Sequence, residues 1–229
     1  MNNSENEGFP IVLTASRAEA NEFDNNPFKA FICTFPKKLS GYALKNDLNN
    51  LESNLDGTAK RTMYGLRKVE SLLIDAFGEE NIVVSHYDNL DKFIGKKTKI
   101  VGISTMDPMG LAYVSTTYNS LIGFGGEALN ASEFERLINH PSIRKYKPKI
   151  IVGGSGSWQI DEAKIQDKYA IDVLYQGEAE ENIVEIFKKI LAGEELPKYF
   201  IGKKNKRRTY TNDKKSSIIR NGRNNQRMW

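Results

Sequence analysis

The sequence predicts a doubly wound α/β fold on a parallel sheet, and three observations carry that prediction. Short apolar runs rich in β-branched residues, such as Pro10–Ala15, Lys99–Ser104 and Lys149–Gly154, recur along the chain. They alternate with amphipathic stretches of helical period, the order expected of βα units. They are apolar almost throughout, as strands covered on both faces of a parallel sheet must be.

Pro10–Ala15 reads as the first strand, and Phe28–Phe35 (FKAFICTF) as a second, closed by Pro36-Lys37-Lys38. Ser40–Asp56 is polar and rich in Asn and Leu, and it ends at the turn signal Asp56-Gly57. It reads as a loop or short helix within an insertion covering about residues 36–62. Tyr64–Phe77 places Leu66, Val69, Leu72, Leu73 and Phe77 on one helical face and stops at Gly78. Asn81–Ser85 is the next strand, Leu90–Ile94 a short helix ending at Gly95, and Lys99–Ser104 a further strand. Ser132–Asn139 reads as a helix with Ser132 and Glu135 forming a capping box. Lys149–Gly154 follows as a strand, Ile171–Tyr175 as the last strand, and Glu178–Leu191 as the closing helix. The set describes a Rossmann-like or flavodoxin-like domain over residues 10–198, with a disordered N-terminus at 1–9.

Of the 229 residues, 39% are hydrophobic and 27% charged, the balance of a soluble globular chain. The sequence shows neither a membrane-spanning apolar run nor a secretory h-region, so a cytoplasmic protein without a membrane partner is expected. The net charge of +4 conceals an asymmetry. Residues 203–229 hold ten Lys/Arg and one acid, leaving 23 basic and 28 acidic residues, a net of −5, elsewhere. The basic segment reads as a disordered linker, and nucleic-acid binding by the domain is not expected. Cys33 is the sole cysteine. That excludes an internal disulfide and any cluster held by several thiolates of this chain, and its apolar surroundings read as core. No metal ligand set is expected, and no catalytic residue is assigned.

In doubly wound sheets ligands sit beyond the carboxyl ends of the strands, so the loops after Ala15, Ser85, Ser104, Val152 and Tyr175 are the functional candidates. Ser104 fits either a ligand contact or local backbone hydrogen bonding. Gly153-Gly154-Ser155-Gly156-Ser157-Trp158 permits close approach of a bulky ligand, with Trp158 as a wall, or is a simple glycine-rich turn. It matches neither phosphate-loop pattern. The acids of Gly177-Glu178-Ala179-Glu180-Glu181 suit the start of a helix. Gly123–Gly126 reads as a mobile loop near the same edge, His140 as exposed, and His86 as a strand-end residue near a pocket.

The order of these pieces resembles the cobalamin-binding domains fused to radical SAM enzymes. Val-Gly-Ile-Ser-x-Met, then Ile-Ile-Val-Gly-Gly-Ser-Gly-Ser-Trp, then Asp-Val-Leu-Tyr-Gln-Gly-Glu-Ala-Glu-Glu carry the resemblance, which covers about Pro10–Leu191. It implies a cobalamin-binding fold in which the Ser104-Thr105-Met106 and Gly153-Gly154 loops contact the nucleotide tail of the cofactor. The site it implies comprises Thr14, Ser16, Ser104, Met106, Gly153, Gly154, Ser155, Gly156, Gly177 and Glu178. Members that ligate cobalt carry Asp-x-His-x-x-Gly after the first strand. Here that place reads Thr14-Ala15-Ser16-Arg17-Ala18-Glu19, so cobalamin would bind without a histidine from this loop.

The resemblance also implies a downstream or separately encoded radical SAM domain as partner, where S-adenosylmethionine and a [4Fe–4S] cluster would reside. No catalysis by this chain alone is expected. The last residues bear on that missing half. Met228 and Trp229 have one codon each, and read one base forward they give Cys-Gly. The same shift lets Asn224–Arg227 read Ile-Thr-Arg-Gly, an opening typical of the family's Cys-x-x-x-Cys-x-x-Cys motif. The expectation is a slipped or interrupted reading frame. Two other readings stay open: a scaffold that has lost cobalamin, and a free-standing flavodoxin-like regulator.

Overall fold

A computed structural model describes residues 6–121 and 126–202. The loop at Gly123–Gly126 lies outside the described residues except for Gly126, and the basic segment from Lys203 onward, with its terminal motif, lies outside them entirely.

Six parallel strands form one sheet: β1 (Ile11–Ala15), β2 (Ile82–Val84), β3 (Ile100–Ser104), β4 (Lys149–Gly153), β5 (Val173–Gln176) and β6 (Tyr199–Ile201). Their order is β2-β1-β3-β4-β5-β6, the flavodoxin-like arrangement extended by one strand, with its topological switch between β1 and β3. The helices are α1 (Arg17–Ala20), α2 (Pro27–Ile32), α3 (Lys37–Ala43), α4 (Lys45–Asn49), α5 (Tyr64–Phe77) and α6 (Leu90–Phe93). There follow α7 (Tyr113–Leu121), α8 (Leu129–Ile138), α9 (Pro141–Tyr146), α10 (Trp158–Glu162) and α11 (Ile183–Leu191). None among the described residues is long and apolar enough to cross a membrane.

Alternation along each strand divides the core. Val12, Val101, Ile103, Ile150, Val152 and Leu174 pack with α6, α8, α9 and α10 on one face. Ile11, Leu13, Ile100, Ile151, Val173 and Tyr175 pack with α5 and α11 on the other. The long helix α5 has the bounds its periodicity predicts. Gly78 ends it at φ +88°, where a Cβ would fall 2.5 Å from the Glu80 carboxylate.

Between β1 and α5 the chain builds a small helical cap whose core is Ala18, Phe23, Cys33, Leu44, Leu48 and Leu129. This corrects the reading of Phe28–Phe35 as a strand. Asn26 accepts hydrogen bonds from the amides of Phe28 and Lys29, and Pro27 occupies the first turn, so the apolar run starts as helix α2. Phe31 and Phe35 then close on Tyr118 of α7, with ring centroids 5.0 and 4.7 Å apart. Cys33 is 2% exposed, and burial pushes its thiol up to about 12. A thiol reagent at neutral pH is therefore expected to label Cys33 no faster than the protein unfolds in denaturant. Faster labelling would show the cap opening alone.

Four further expectations are corrected. Helix α8 begins one turn before Ser132, which lies inside it. Its first amides are satisfied by the cap instead, Leu129 donating to the Phe35 carbonyl at 3.0 Å and Asn130 to that of Cys33 at 3.1 Å. Strand β6 follows Ile171–Tyr175, so the sheet extends past residue 198 through the pairs Leu174↔Tyr199 and Gln176↔Ile201. Residues 6–9 pack beside α6: Phe9 donates to the Phe93 carbonyl at 2.8 Å, and Gly8 meets Gly95 too closely for any Cβ. His140 is buried, because its Nδ1 accepts from the Ser142 amide at 3.2 Å and its ring meets Tyr87 edge-on.

Candidate functional site

A cleft of about 670 Å³ runs down from the carboxyl edge of the sheet into the space between α5 and α11. That volume lies in the range of small-molecule sites. The strands supply its floor. Gly102 and Ser104 lie two apart on β3, as do Ile151 and Gly153 on β4, so all four project to the cleft's side of the sheet. Val69 and Leu72 of α5 form one apolar wall, and Ile183 and Phe187 of α11 the other. At the mouth, Lys68 of α5 pairs with Glu180 in the turn before α11, joining the two walls. Tyr175 closes the β5 side and donates from its hydroxyl to the Glu178 carbonyl at 2.8 Å.

A second arrangement occupies the switch point between β1 and β3. Glu19 of α1, 7% exposed, accepts through Oε1 from the Thr105 hydroxyl at 3.0 Å and from the amides of Met106 and Asp107 at 2.8 Å each. Burial raises its carboxyl above the ordinary range, against the lowering effect of those three donors. Asp107 in turn accepts from the Ala112 amide, the Gln159 side chain and Ser115. The crevice that holds a ligand in many doubly wound folds is thus filled by the protein's own carboxylate.

The residues named from sequence separate into two groups. Ser104, Gly153, Gly154, Gly177 and Glu178 line the cleft. Thr14, Ser16, Met106, Ser155 and Gly156 do not. Thr14 is buried with its hydroxyl on the Ala15 carbonyl, and Ser16 caps α1 by accepting from the Glu19 amide. Met106 and Ser155 are exposed on the adjoining loops.

The glycines divide as well. A Cβ on Gly154, whose φ is +100°, would lie 2.3 Å from the Thr105 carbonyl oxygen, and one on Gly156 2.2 Å from that of Met106. Both admit the β3 loop rather than a ligand. A Cβ on Gly153 would meet only ordinary contacts at 3.7 Å, so that glycine keeps open the cleft floor itself.

His86 lies at a strand end with Nε2 3.1 Å from the Glu52 carbonyl and outside the cleft; burial lowers its pKa. Sequence reasoning missed Gly102, Lys68 and Ser71, which also line the cleft. Gly102 stands in the Val-Gly-Ile-Ser run, where a glycine inside a strand signals close approach. The face of α5 reads as core alone, and its period does not reveal that part of it borders open space. Among known proteins, no family model, curated protein or solved structure matches this chain.

Proposed function

We propose that this chain is a cobalamin-binding-type α/β module of the kind joined to radical SAM domains, with the nucleotide tail of the cofactor in the α5–α11 cleft. One observation carries the reading. The Ser104 and Gly153-Gly154 loops, which the resemblance assigns to that tail, come from two strands and converge on one cleft of suitable volume. The residues fit a bulky ring: Gly153 leaves the floor bare at its position, and the walls are apolar. Cobalamin would supply organometallic chemistry at its metal. This chain's residues bind and orient it, and the β1–α1 loop offers no histidine, its Arg17 and Glu19 being engaged inside the protein. A catalytic iron–sulfur domain would be a separate partner. The flavodoxin-like reading has less support, since Glu19 already holds the donors at the switch point.

Titration with hydroxocobalamin followed by gel filtration tests the proposal. The expected result is a coloured complex with the wild-type chain. Gly153→Val should weaken it at least about tenfold by filling the floor, with an unchanged melting temperature, because one obstructed contact surface removes on the order of 1.4 kcal/mol. A wild-type protein that elutes colourless would favour the scaffold reading, and a yellow one the flavin reading.

A further inference from the structure

We infer that the amino edge of the sheet, where β3 and β4 begin, is a docking surface for a carboxylate-rich segment of another protein. That edge lies at the opposite end of the strands from the cleft, so a partner there leaves the cleft open.

Residues 96–99 and 144–149 hold seven Lys/Arg and no acid, whereas the chain outside residues 203–229 carries a net −5. All seven are exposed. The fold brings the two segments together: the Lys149 amide donates to the Lys99 carbonyl at 2.8 Å, and α6, just before the first segment, packs on α9. Like charge gathered in one place repels itself, and an anionic partner relieves the repulsion. Lys147 points the same way. It ends α9 at φ +49°, a backbone conformation that favours glycine, yet it carries a long cationic side chain. Lys97 and Lys149 already hold carboxylates, those of Glu7 at 3.1 Å and Asp172 at 2.8 Å. Lys99 and Lys147 form no ion pair among the described residues.

The make-up of the face selects the class of anion. Its one arginine, Arg144, engages the Asn139 side chain through Nε at 3.1 Å and Nη2 at 2.5 Å, so no free guanidinium fork awaits a phosphate. Tyr146 packs on the core beneath the Lys145 ammonium and offers no ring for a base to stack on. Residues 92–99 and 141–149 expose no large hydrophobic side chain to enter a lipid surface. Lysines alone suit the carboxylates of an acidic segment.

The test is fluorescence anisotropy of the full chain with a fluorescein-labelled octaglutamate peptide at low ionic strength. Lys147→Gly removes a charge and relieves the backbone. It should weaken the peptide about threefold, with a melting temperature no lower than that of wild type. Lys99→Glu combined with Lys147→Glu should weaken it at least about tenfold, because like charge then faces the peptide. Lys188→Glu on α11 should leave the affinity unchanged. No binding by the wild-type chain would overturn the inference. Equal affinity of wild type and both patch variants would do the same, by placing the peptide on residues 203–229 or another basic surface. An equal loss with Lys188→Glu would overturn it as an effect of net charge. Tighter binding of an oligothymidylate of matched charge, or of phosphatidylserine vesicles, with the same loss in the patch variants, would overturn the carboxylate class and assign the face to phosphate.

Discussion

Replacing Arg17 with alanine is expected to destabilise the fold by about 3–5 kcal/mol, the largest single effect outside the strands. Arg17 meets Glu133 of α8 through two bonds, Nε to Oε2 at 2.7 Å and Nη2 to Oε1 at 2.9 Å, with both side chains under a tenth exposed. It also donates to Asn49 at 2.8 Å, so one guanidinium joins α1, α4 and α8. Removing it leaves the buried Glu133 carboxylate with only Arg136, at 4.0 Å, whereas an exposed pair would be worth at most about 1 kcal/mol. The paired change Arg17→Met with Glu133→Leu should recover most of the loss, because it removes both charges and keeps the volume. Urea unfolding of the single and double variants checks this. A single-variant loss below about 1 kcal/mol would mean that the pair is effectively solvated.

Glu19 carries the second large effect. Glu19→Ala strands the buried Thr105 hydroxyl and Asp107 amide and the part-buried Met106 amide, and at about 1–3 kcal/mol for each buried orphan the loss should reach at least about 2 kcal/mol. The pH dependence has a definite sign. Burial raises the folded carboxyl above its unfolded value, so the native protein binds this proton more tightly than the unfolded chain does. The resulting stability is complete below the unfolded value of about 4.3 and is lost as pH rises through the raised folded value. Glu19→Gln keeps an acceptor for the same donors and cannot ionise, so it should gain on wild type as pH rises through that window. Unfolding free energies at about pH 4, 6 and 8 measure the difference. A difference independent of pH would show that this carboxyl titrates in the ordinary range.

Both effects act on the carboxyl edge of the sheet. The Arg17–Glu133 pair seats the cap on α8, and Glu19 fixes the loop after Ser104. Gly154 and Gly156 then let the β4 loop lie against that same loop. The rim of the cleft is therefore held by interactions that lie outside the cleft, which is how loop residues acquire a fixed geometry.

The sequence by itself determined the parallel sheet, five of its strands to within a residue or two, and the bounds of α5. These follow from local pattern: the short β-branched runs of Ile100–Ser104 and Lys149–Gly153 suit strands covered on both faces, and the period of Tyr64–Phe77 suits a helix. Tertiary structure decided the rest. Phe28–Phe35 is as apolar as a strand, and becomes helix because Asn26 and Pro27 start one and Tyr118 gives its aromatics a partner. The start of α8 is set by carbonyls of the cap nearly a hundred residues earlier in the chain. Among the loop glycines, composition cannot distinguish Gly153, which faces the cleft, from Gly154 and Gly156, which face Thr105 and Met106. Nor can it show that Glu19 reaches across to Thr105 at a separation of 86 residues. Periodicity records which residues leave water; which neighbour they then meet is settled only when distant segments pack.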